Sequence, residues 1–132
     1  MAEVPNINSQ AFDEVSKIAS SSYDRPFFVL NLNTYFHSQS ATSSDTCNNC
    51  NSAVDAILRE VEGKILRRSP VLGQPVGKQN VDEILVIWYH SHQAFVNIKD
   101  APSSARFNEA KNRVVKHAII YRSNPYIVER IP

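Results

Sequence analysis

Between Arg25 and His37 the chain reads Arg-Pro-Phe-Phe-Val-Leu-Asn-Leu-Asn-Thr-Tyr-Phe-His, a strand-like run with two asparagines where a buried strand wants aliphatics. Successive strand side chains point to opposite faces. Phe28, Leu30, Leu32 and Phe36 therefore fall on one side, and Phe27, Val29, Asn31, Asn33, Tyr35 and His37 on the other. The first set reads as a floor for helices. The second is apolar at its start and polar at its tips, the pattern of a strand lining a cavity. A buried amide without a partner costs about 1–3 kcal/mol. Asn31 and Asn33 are thus expected to meet another polar group, a water or a ligand.

The rest of the chain sorts by the same logic. Asn6 to Ala19 is expected to form a short helical arm, capped by Asn8 or Ser9, with Phe12, Val15 and Ile18 or Ala19 at helical spacing. Residues 38–52 are almost wholly Ser, Thr, Asn and other polar types, and read as a long loop beside the polar end of the first strand. Val54, Ile57, Leu58 and Val61 make a helix stripe that Gly63 ends. Lys64–Ser69 reads as a second strand, followed by a Pro- and Gly-bearing connection. Val81–Tyr89 is a nearly continuous apolar run, expected at a sheet's centre. Ser91 caps a helix that Ala101-Pro102 interrupts, and a further helix runs from Ser103 or Ser104 through Lys116 with Phe107, Ala110, Val114 and His117 inward. Ala118–Arg122 is the last strand. The order strand, helix, strand, strand, helix, strand predicts an α+β, ferredoxin-like βαββαβ sheet with helices on one face. Residues 1–24 form an N-terminal arm, 25–122 the body and 123–132 a tail.

Composition removes several functional classes. The 132 residues carry 14 Lys and Arg against 13 Asp and Glu, and no long basic stripe marks a nucleic-acid surface. No apolar run approaches the roughly 18 residues of a membrane span, and the first residues lack the basic-then-apolar order of a secretion signal. A cytoplasmic, soluble protein is expected. Only three glycines are present and no glycine-rich phosphate loop, which argues against nucleotide binding. Cys47-Asn-Asn-Cys50 supplies only two of the four ligands a zinc site wants, and its polar flanks are unlike a redox helix start. No metal and no cofactor are expected.

Four segments together carry a resemblance: Arg25-Pro-Phe-Phe-Val-Leu-Asn31-Leu, Glu62-Gly-Lys-Ile-Leu66, Asp82 through Phe95, and Arg113 before Ile119. This pattern resembles a bacterial and fungal domain-of-unknown-function family of the dimeric α+β barrel superfamily. The chain departs from it at the polar 38–52 segment, at His90 in place of a turn proline, and at Phe107, one position nearer to Arg113. The resemblance implies a homodimer in which two four-stranded sheets meet face to face. Relatives in that superfamily carry out cofactor-independent cyclisation, isomerisation or oxygenation.

The candidate chemistry follows from these two sources. Asn31, Asn33 and Tyr35 are expected to bind a small apolar or aromatic ligand, with Trp88 as an aromatic wall on the face without helices. His37, His90, His92 and His117 are the candidate imidazole bases for proton transfer; the two amides would steady an enolate oxygen. His90 and His92 flank Ser91 at a helix start, and His117 is expected at a helix end. Arg113 would hold an anionic group through its planar fork, or pair with Glu109 at i−4. The expected function is a small-molecule-binding dimeric barrel acting as a cofactor-free cyclase, isomerase or monooxygenase. The alternative is a non-catalytic ligand-binding or interaction module, with the polar strand serving dimer specificity.

Overall fold

The computed structural model describes residues 8–36 and 45–124. A helix α1, Ser9–Ala19, precedes strand β1, Phe27–Tyr35. Helix α2, Asp45–Glu60, leads to β2, Gly63–Pro70, and β3, Glu83–Tyr89. A short α3, His92–Val96, continues as a 3-10 turn over Asn97–Asp100; α4, Ser104–Val114, then runs straight into β4, Val115–Ser123. The strands form one antiparallel sheet in the order β2-β3-β1-β4. This mixed α+β architecture agrees with the expected ferredoxin-like arrangement.

Local signals explain most boundaries. Asn8 Oδ1 accepts from the Ala11 amide at 3.1 Å, and Ser91 Oγ accepts from Ala94 at 3.0 Å, so both expected caps form. Gly63 does not end α2 by adopting a left-handed turn; Glu62 does that, with φ 60°. Gly63 is needed because a Cβ there would lie 2.9 Å from Leu58 Cδ2 and 3.2 Å from the Tyr89 ring. Two other expectations fail at helix ends. The polar segment is not a loop throughout, since α2 already begins at Asp45 and includes Cys47 and Cys50. Residues 38–44 and the tail from 125 lie outside the described residues. His117 is not at a helix end but inside β4, which starts at Val115.

The helices cover the side of the sheet opposite to the one expected. Phe27 and Val29 join Leu85, Ile87 and Tyr89 in a core with Ile57, Leu58 and Val61 of α2 and Ala94 of α3. Register puts Asn31 opposite Leu85 and Asn33 opposite Glu83, on this same helix-covered side. Phe28, Leu30 and Leu32 pair with Trp88, Val86 and Ile84 on the other side. Alternation correctly separates the two sets but cannot say which one meets the helices. The uncovered side is here the more apolar, and Trp88 lies on it as expected. Asn31 and Trp88 consequently occupy opposite faces and share no site.

Candidate functional site

The polar half of β1 lines a partly open cavity of about 80 Å³ between the sheet and helices α2 and α4. Asn31, Asn33 and Tyr35 contribute from β1, Leu85 and Ile87 from β3, Val54 from α2, Phe107 from α4, and Ala118 and Ile120 from β4. Three of the expected ligand-binding residues therefore do come together. Asn31 Oδ1 is buried and has no hydrogen-bond partner, the one side-chain polar atom in that position among the described residues. An orphaned buried acceptor forfeits its hydration without replacement.

At the far end of this cavity sits a charged cluster that sequence reading missed. Glu83 is 3% exposed. Its Oε2 accepts from Arg68 Nε at 2.8 Å, and its Oε1 accepts from the Tyr35 hydroxyl. Arg68 also donates to Asn51 of α2. Burial, reinforced by the Glu83 carboxylate, pushes the Tyr35 phenol far above its usual range, so it stays a proton donor at neutral pH. The end of β1 is held by the segment just before β3. The Tyr35 amide donates to Asp82 Oδ2 at 2.8 Å, and the Asp82 amide donates to the Asn33 carbonyl at 2.8 Å. Arg68 reaches the cavity because the β2 register shifts between Ile65 and Arg67. Strict alternation from Ile65 would have turned Arg68 to the uncovered face, and a bulge of this kind leaves little trace in composition.

The candidate histidines lie elsewhere. His37 is outside the described residues. His90 is exposed at the end of β3, its ring 6.2 Å from that of Trp88. His117 is exposed on the uncovered face, paired across β1 with Thr34. His92 is buried at the start of α3 and stacks on Phe27, with ring centroids 4.1 Å apart. Its Nδ1 lies 3.0 Å from both Asp24 Oδ1 and the Arg25 carbonyl, and Arg122 faces its Nε2 at 3.2 Å. An arginine can only donate, so Nε2 accepts and the ring proton sits on Nδ1. With both nitrogens engaged, His92 ties Asp24, α3 and β4 together. No described histidine lines the Asn31 cavity. Arg113 pairs with Glu109 at 2.7 Å on the exposed face of α4, away from the cavity. Among the described residues no group of three His, Cys, Asp or Glu side chains is placed to hold a metal ion.

Two solved structures share this fold. Both are of RPA0582, a protein of unknown function from Rhodopseudomonas palustris, one of them in methylated form. The first aligns at TM-score 0.73 and 15% identity, covering 97% of this chain and 100% of that one. The methylated form aligns at TM-score 0.65 and 16% identity, over 98% and 100% of the two chains. No family model and no curated protein matches the chain. At these identities the likeness speaks for the fold alone.

Proposed function

We propose that this protein binds a small molecule in the cavity beneath α2 and α4, as a homodimeric α+β barrel whose uncovered sheet faces meet. The observation that carries the binding reading is Asn31 Oδ1, a buried acceptor left unpaired on the wall of a cavity that combines Leu85, Ile87, Phe107 and Ile120 with a few polar groups. Small-molecule sites combine such walls with a few convergent polar groups. The pocket lies within one subunit, so binding does not depend on the twin. The cofactor-free cyclase or isomerase version of this reading would have to move a proton without imidazole. Tyr35 and Glu83 are the acid–base pair at the pocket, and both Glu83 oxygens are already bonded. Binding is therefore the more direct reading, and catalysis an extension of it.

The dimer reading rests on the other face. Phe28, Leu30, Leu32, Ile84, Val86 and Trp88 form a contiguous apolar patch that no described helix covers, and Tyr121 beside them is 54% exposed. Monomers rarely leave such patches wet; an isologous sheet-to-sheet contact would bury it. Native mass spectrometry of protein isolated under mild conditions tests both parts. We expect a dimer carrying a retained small molecule, a Trp88→Asp monomer that still carries it, and an Asn31→Leu dimer that has lost it. A wild-type monomer at micromolar concentration would overturn the dimer, and wild-type protein with no retained mass would count against binding.

A further inference from the structure

The Asn31 cavity does not end at β1. Ala118 and Ile120 of β4 line it and also line a groove of about 300 Å³ that continues under α1, past Phe12, Val15 and Phe95. Register sets Ile120 directly opposite Asn31 and Ala118 opposite Asn33. The two hollows therefore share a wall, and together they reach the roughly 300–1,000 Å³ of small-molecule sites. Ile120 faces the helices yet remains 51% exposed, because α1 and α4 leave this part of β4 uncovered between them. From Ala118 to Arg122 the slot runs along five strand residues, on the order of 14 Å for four steps of about 3.4 Å.

Building on the binding reading above, we infer that the ligand is an elongated, uncharged molecule with a hydroxyl at one end, a phenol or alcohol, and an apolar body. The hydroxyl donates to Asn31 Oδ1. The body lies over Ala118 and Ile120 and reaches the rings of Phe12 and Phe95. An amide oxygen needs a donor, so a ketone, ether or carboxylate at this end would set lone pair against lone pair. The charged groups of the two hollows are already engaged: Arg68 faces Glu83, Arg122 faces Glu14 at 3.4 Å, and the Lys111 ammonium lies over the Phe107 ring at 5.4 Å. An uncharged head avoids the cost of burying a further ion among apolar walls.

Calorimetric titration of the full chain with 4-hexylphenol and with its methyl ether, 4-hexylanisole, tests this class. The wild type is expected to bind the phenol about tenfold or more tightly than the ether, the scale of a hydrogen bond to an otherwise unsatisfied buried acceptor. Asn31→Leu should bring the two affinities level. Ile120→Trp, at a position exposed enough to leave the fold intact by circular dichroism, should weaken 4-hexylphenol about tenfold. Equal wild-type affinities for phenol and ether would overturn the donor assignment yet leave a small-molecule pocket standing. Tight phenol binding that ignores Ile120→Trp would overturn the elongated slot. No binding of either compound, with only water beside Asn31, would remove this inference, and a wild-type protein that also retains no small molecule on isolation would remove the binding reading as well.

Discussion

At its Phe27 end β1 joins a cluster of stacked rings, whereas at its Asn31 end, on the same side of the same sheet, it leaves an acceptor unpaired on a cavity wall. Phe27 lies 4.1 Å from the His92 ring and 5.6 Å from that of Tyr89, with Phe95 edge-on at 5.8 Å. Asp24 then fastens this end by accepting from the His92 amide at 2.6 Å and the Gln93 amide at 3.1 Å. Four residues along, small Ala118 and half-exposed Ile120 stand where bulk would be needed, and an amide oxygen is left unpaired. The first region also borders a hollow, of about 640 Å³ beside Phe27, His92 and Arg122, but its stacked rings and the paired nitrogens of His92 mark it as scaffold. An acceptor with no partner marks the second as a place for something else. Neither a buried histidine nor a buried ion pair separates the two; the unsatisfied atom does.

The contrast can be broken most forcefully at the charged end of the hollow. Glu83→Leu leaves Tyr35 and Arg68 facing each other without their shared acceptor, and should cost about 3 kcal/mol or more in urea unfolding. A much smaller loss would mean that Arg68, a third exposed, simply turns to solvent. On the scaffold side, His92→Ala removes a stacked ring and its three partners, for an expected loss of about 2–3 kcal/mol. Asn31→Leu should act in the opposite direction. Replacing an unpaired buried oxygen by an aliphatic side chain is expected to stabilise the ligand-free protein by about 1–2 kcal/mol. A destabilised Asn31→Leu would show that the amide has a structural partner after all.

The smallest effect sharpens the scaffold end through pH. Burial raises the Asp24 carboxyl, but the amides of His92 and Gln93 and the His92 ring outweigh it and hold the group below the ordinary carboxylate value. A carboxyl depressed on folding contributes stability that is present above its unfolded value, about 3.9, and is lost as pH falls through the folded value. Wild-type stability should therefore decline below about pH 4 partly through Asp24. Asp24→Asn should flatten that part of the curve while leaving the cavity end unchanged. An unaltered acid limb in the variant would assign the decline to other carboxylates.

Much of this architecture was legible in the chain. The helix stripe of Val54, Ile57, Leu58 and Val61, the apolar run to Tyr89, and the Asn8 and Ser91 caps lead directly to the observed βαββαβ order. Asn31, Asn33 and Tyr35 were legible as cavity-lining because amides are out of place in a buried strand. Three things were not. Which side of β1 meets the helices depends on the partner surfaces, since both sides are largely apolar and the one left uncovered is the greasier. Arg68 enters the site only through the β2 bulge, which reverses the parity of every later residue in that strand. Glu83 reads as one polar residue at the edge of a hydrophobic run, and becomes notable only when Tyr35 and Arg68 converge on it from two other strands. The three described histidines, His90, His92 and His117, chosen by chemical type, are scattered by the topology because residue type says nothing of where a strand ends.

A crystal structure of the protein isolated from its own cells, with no ligand added, probes the central claim most directly. The expected result is continuous density running from the Asn31 side chain along Ala118 and Ile120, with a donor within about 3 Å of Oδ1. A cavity holding water alone, or one closed so that a protein donor reaches Oδ1, would contradict it.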